Sequence, residues 1–105
     1  MQGYQLTFYT QQNRRVGQLT VAEWLLHEAR ELGFTGATMT AAQAGFGRDG
    51  KIYAARFIEL AEQPMEVTMA LSVENSARLF ARIKEEKVSV FYVKIPVEFG
   101  VTGEE

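Results

Sequence analysis

A chain of 105 residues with 47% hydrophobic and 23% charged positions has the make-up of a folded globular protein, not of a disordered tail. Its 11 Lys and Arg against 13 Asp and Glu leave a net charge of −2, which gives no electrostatic footing for a nucleic-acid partner. With no Cys and a single His, disulfides, thiol catalysis and thiolate metal sites are excluded, and a zinc site would need carboxylates for most of its ligands.

The start, Met1 to Gln5, lacks the basic-then-apolar run of a signal peptide, and no apolar span is long enough to cross a membrane. A cytoplasmic protein without membrane insertion is the expectation. Tyr4 to Tyr9 alternates in β-prone residues, with Tyr4, Leu6 and Phe8 on one face and Gln5, Thr7 and Tyr9 on the other, and so predicts a first strand. A polar connector follows, Thr10 to Gln18, whose Arg14 and Arg15 are expected to be exposed or to frame a cleft. Thr20 and Glu23 then have the spacing of a capping box. Val21, Trp24, Leu25, Ala29 and Leu32 recur at three- and four-residue intervals and mark the buried stripe of a first helix, which Gly33 should end.

A second strand is predicted over Ala37 to Ala44, built from small residues and Thr. After Gly45-Phe46-Gly47 comes a connection, Arg48 to Gln63, that is long for a compact domain and too apolar at Ile52, Tyr53, Phe57, Ile58 and Leu60 for a free tether. Part of it should fold as a strand or hairpin, or wait for a partner surface. Pro64 to Leu71 alternates again, with Met65, Val67, Met69 and Leu71 on the apolar face. Ser72 is the expected cap of a second helix, Glu74 to Glu86, with Ala77, Leu79, Phe80 and Ile83 buried. A last strand is predicted over Val88 to Val97, apolar on both faces. Met39, Met65 and Met69 read as core filler.

The order is β-α-β, a long connection, then β-α-β, in one domain spanning 1–105. This predicts an α+β, ferredoxin-like βαββαβ sandwich, an antiparallel sheet with two helices on one face. The other face of such a sheet, if apolar, needs cover from a further subunit. A homo-oligomer is expected.

The segment Ala29 to Thr38, the Gly45-Phe46-Gly47 step, Ile52-Tyr53, Phe57 to Leu60 and Pro64 to Val67 resemble the PII-like signalling proteins over nearly the whole chain. That resemblance implies a homotrimer with no catalytic activity and no tightly bound cofactor. It implies a small effector, ADP, ATP or AMP, held at subunit clefts, and a loop equivalent to the T-loop at 48–63 that docks on a target protein such as a membrane transporter. A bicarbonate or carboxylate sensor and a structural, CutA-like trimer are the alternatives. The resemblance also has departures: Ala41 and Ala42 stand where relatives carry Arg-Gly, and the turn before the last strand is only Glu85-Glu86-Lys87.

The candidate effector-binding residues are Gly45, Phe46, Gly47, Arg48, Arg56 and Lys94. The glycines either supply a turn or let backbone N–H groups approach an anion. Arg48 sits at the loop base, Arg56 is a further loop cation, and Lys94 is the one charge inside the last strand. An enzyme using Glu59 or Glu66 is the competing class, and it lacks a nucleophile and a second histidine.

Overall fold

The computed structural model describes residues 1–42, 44–46, 52–54 and 63–104. In chain order the elements are β1 (Gln2–Gln11), β2 (Arg15–Val16), β3 (Leu19–Thr20), α1 (Val21–Glu31), β4 (Thr38–Ala41) and β5 (Ala44–Phe46). There follow β6 (Ile52–Ala54), β7 (Pro64–Ser72), α2 (Val73–Glu85) and β8 (Phe91–Glu98). One sheet has the order β4-β7-β1-β8, and every neighbouring pair in it is antiparallel. The two halves of the chain interleave their strands, which is the ferredoxin-like arrangement.

Period-two alternation places Leu6 and Phe8 of β1 beside Met69 and Val67 of β7, all buried on the face that receives the helices. Both helices pack there, through Val21, Trp24, Leu25 and Ala29 from α1 and Leu79 and Ile83 from α2. Thr20 caps α1 as predicted: its hydroxyl accepts from the Glu23 N–H, and the Glu23 carboxylate accepts from the Thr20 N–H. Ser72 caps α2 by accepting from the Asn75 N–H at 3.1 Å.

Several expectations need correction. The strand predicted over 37–44 is divided: β4 ends at Ala41, and β5 pairs instead with β6 as a separate ribbon. The apolar residues Ile52 and Tyr53 thus lie in a hairpin of the long connection. The polar connector contains a small hairpin, β2–β3, turned at Gly17 with φ +60°. Ala77 is exposed and Ser76 takes its place in the buried stripe of α2. Met39 is 40% exposed on β4, an edge strand of the sheet.

The last strand begins at Phe91, so Val88 and Val90 precede it and pack against the core instead of alternating within it. Its helix-side residues are Tyr92 and Lys94, opposite Phe8 and Leu6. Its other face carries Phe91, Val93 and Ile95, all exposed, with Tyr9 beside Phe91 at 5.8 Å between ring centroids. The rest of that face is small or polar, including Gln5, Thr7, Thr38, Thr68 and Ala70. The sheet therefore has one face that carries the core, dry along β1 and β7 and exposed at its edge strands, and one open face whose apolar part lies along β8.

Candidate functional site

One end of the sheet gathers the segments that carry chemistry. There β1 finishes opposite the start of β7, with Gln11 paired to Pro64, and β8 begins opposite Tyr9. The Ala42 N–H donates to the Pro64 carbonyl at 2.9 Å and the Gln12 N–H to the Gln63 carbonyl at 3.1 Å. Both ends of the long connection are thereby tied to the same place as the β1–α1 connector.

The connector is closed locally. The Arg14 N–H donates to the Gln11 carbonyl, and the Arg14 carbonyl accepts from the Val21 N–H at 2.8 Å, which fixes the β2–β3 hairpin against the start of α1. Facing it is the turn after α2. There the Lys87 N–H donates to the Lys84 carbonyl and the Val88 N–H to the Ile83 carbonyl, both at 3.1 Å, with Lys87 at φ +56°. The same pair of bonds ends α1, where Gly33 at φ +80° and Phe34 bond back to Arg30 and Ala29. Both are Schellman closures, and they differ in the residue at the left-handed position.

Between hairpin and turn lies an open depression of about 480 Å³, lined by Arg14, Arg15, Val16, Gly17, Val21 and Glu86 to Ser89. Arg14 spans it, donating from Nη2 to the Ser89 carbonyl at 2.9 Å. Arg15 donates from Nη1 to the Gln18 carbonyl at 3.2 Å. The carboxylate of Glu86 is already paired with Arg82 at 3.3 Å. Glu23 stands within the field of Arg15; its hydrogen bonds from Thr20, then that field, hold its carboxyl below its ordinary range. The balance around the depression is cationic.

Of the expected site residues, Gly45 and Phe46 lie on β5. Gly47, Arg48 and Arg56, and most of the 48–63 segment, fall outside the described residues. Lys94 sits on β8 with its ammonium 4.1 Å from the centroid of the Tyr4 ring and 5.6 Å from that of Phe80. That is a cation–π arrangement within the chain. Arg14 and Arg15 are exposed, as expected, and with Lys87 they line the depression within one chain. A signal for Lys87 emerges only on comparison of the two helix ends, where one has Gly33 and the other a lysine.

Between the helices, Arg82 holds the buried carboxylate of Glu28 through Nε at 3.1 Å and Nη2 at 3.2 Å, and also reaches Glu85 and Glu86. Glu28 first, and then Glu85, strengthen the proton affinity of the guanidinium. Among the described residues there is no group of three metal-ligating side chains, and no helix is long and apolar enough to cross a membrane.

Residues 3–98 match the family DUF190, described as "Uncharacterized ACR". No curated protein matches the chain. Among solved structures, a protein of Thermus thermophilus described as PII-like and signalling superposes with a TM-score of 0.67 at 21% identity, covering 92% of this chain and 88% of its own. CPII, a nitrogen regulatory PII-like protein of Thiomonas intermedia solved with ADP, AMP and bicarbonate, gives 0.64 at 16% identity, covering 92% and 89%. These likenesses are ones of fold.

Proposed function

This chain belongs to the DUF190 family, and we propose that it is a PII-like regulatory protein that senses a small anionic effector and passes its occupancy to a partner protein. The observation that carries the reading is the likeness over 92% of the chain to CPII, whose structure holds ADP, AMP and bicarbonate. The cationic end of the sheet supports it, since the two ends of the long connection, the first hairpin and the turn after α2 all meet there. The role is one of binding and not of catalysis.

In this reading three copies assemble through the open sheet face, where Phe91, Val93, Ile95 and Tyr9 would leave water. The effector is an adenine nucleotide, ADP first, held at the clefts between copies by Gly45, Phe46, Gly47, Arg48, Arg56 and Lys94. Bicarbonate is the second reading, on the strength of the same CPII structure. The effector acts by favouring one arrangement of residues 48–63, the segment that meets the target, a membrane transporter among the candidates. It does so only to the extent that it binds the two arrangements unequally.

A thermal-shift series with ADP, AMP, ATP and bicarbonate tests this. A ligand at one hundred times its dissociation constant raises stability by about 2.7 kcal/mol, well within detection. Arg48→Ala should remove the shift. An unmoved midpoint throughout the series would remove effector sensing from the account.

A further inference from the structure

The open face of the sheet is nearly free of charge. Alternation puts Phe91, Val93 and Ile95 of β8 on it, and the central strands add uncharged polar groups, among them the Thr68 hydroxyl that donates to the Thr7 hydroxyl at 3.4 Å. Among the described residues of this face Glu66 is the one charged side chain, in a chain with 23% charged positions. Depletion of charge, more than bulk hydrophobicity, marks the core of a protein–protein interface. Glu66 does not stand at a lateral edge. Its strand, β7, runs between β1 and β4, and Glu66 is flanked there by Tyr9 and Thr40.

In the single chain Glu66 is half-buried, with no ion-pair partner among the described residues. Tyr9 is the one other titratable side chain beside it on this face, and Thr40 and Thr68 are neutral. The described cations lie elsewhere. They sit on the two helices, around the depression and, for Lys94, on the helix side over the Tyr4 ring. The α-amino group is tied to the Phe99 carbonyl at the other end of the sheet. A second copy that covers this face with its own open face therefore brings no described cation to Glu66. A carboxylate taken out of water must be paired or must carry a proton.

We infer that assembly of copies through the open face takes up a proton from solvent at Glu66. Once protonated, the carboxyl is an O–H donor, and the threonine hydroxyls and the Gln5 amide of the same face supply acceptors. The assembled form then holds more protons than the separate copies, so association strengthens as pH falls and weakens as pH rises. The inference rests on the assembly in the regulatory reading above, and it gives that reading pH as an input beside the effector.

The test is fluorescence-detected sedimentation of the full chain over a dilution series from nanomolar concentration upward, at pH 5.5, 6.5 and 7.5 and constant ionic strength. The same urea concentration is added to every sample where this is needed to bring dissociation into range. The concentration for half-assembly of the wild type should fall at least fivefold from pH 7.5 to 5.5. Glu66→Gln should assemble at lower concentration than the wild type at pH 7.5, and the two should converge at pH 5.5. Val93→Glu, which adds a second charge to the face, should weaken assembly at every pH. A wild type indifferent to pH, or Glu66→Gln with the wild type's full pH dependence, would overturn the inference and leave the assembly standing. A chain that stays monomeric throughout, or Val93→Glu assembling like the wild type, would remove assembly through this face and the inference with it.

Discussion

Arg82 on the second helix grips Glu28 on the first through two parallel hydrogen bonds, and the two partners are not equally provided for. Glu28 is 7% exposed with Arg82 as its one ion-pair partner among the described residues, whereas Arg82 also reaches the exposed Glu85 and Glu86. Removing Arg82 leaves a carboxylate buried and unpaired; removing Glu28 leaves the guanidinium with two other acids. Arg82→Met should therefore lower the melting midpoint by several degrees and by clearly more than Glu28→Gln. Equal losses in thermal melts at one protein concentration would contradict this asymmetry.

The cap of α1 is expected to be pH-sensitive. Hydrogen bonding from Thr20 holds the Glu23 carboxyl below its ordinary value of 4.5. A carboxyl depressed on folding stabilises the fold fully above its unfolded pKa and loses that contribution as pH falls through the folded value. Glu23→Gln keeps an acceptor for the Thr20 N–H and removes only the charge. The midpoint gap between wild type and Glu23→Gln should be steady near neutrality and close as pH drops below about 4.5; a gap independent of pH would refute it. Thr20→Ala, which removes the capping hydroxyl that also helps to hold the Glu23 carboxyl low, should cost about 1 kcal/mol near neutrality and less as pH falls.

Ser76 is 1% exposed, and its hydroxyl has no partner among the described residues. A buried hydroxyl without a hydrogen bond forfeits roughly 1–3 kcal/mol of hydration, and Ala is the better helix former. Ser76→Ala should raise the midpoint by about 4–8 °C, the equivalent of ~1 kcal/mol in a domain of this size. Loss of stability would show that the hydroxyl is satisfied in solution.

Gly3 faces the opposite constraint. A Cβ there would run into the backbone carbonyl of Leu71 and come within 2.8 Å of the Phe99 ring, so β1 and β7 would have to part. Gly3→Ala should destabilise by about 1–3 kcal/mol, in the range of overpacked cores. Urea unfolding that leaves the midpoint unchanged would contradict the close approach.

Much of this was legible in the residues. Alternation in Tyr4 to Tyr9 and Met65 to Leu71 fixes both central strands and their inward faces, and Thr20, Glu23 and Gly33 mark the ends of α1 because capping is local chemistry. What escaped depends on tertiary context. Ala77 reads as buried by hydropathy, yet positions on α2 are set by rotation about the helix axis, which Leu79 and Ile83 decide, and Ser76 takes the buried place. Val88 and Val90 look like strand residues, but the turn held at Lys87 delays β8 until Phe91. The basic depression joins residues more than 70 positions apart, as Arg14 to Ser89 shows, and no local pattern announces such a meeting.

The central claim, that an effector bound at this end of the sheet alters residues 48–63, is tested most directly by limited trypsin digestion with and without saturating ADP or bicarbonate. Arg48, Lys51 and Arg56 supply cleavage sites within the segment. The account predicts that one of these ligands changes the rate of cutting there at least severalfold while cutting at the helix arginines, such as Arg30, stays constant. Identical digestion with and without both ligands would contradict it.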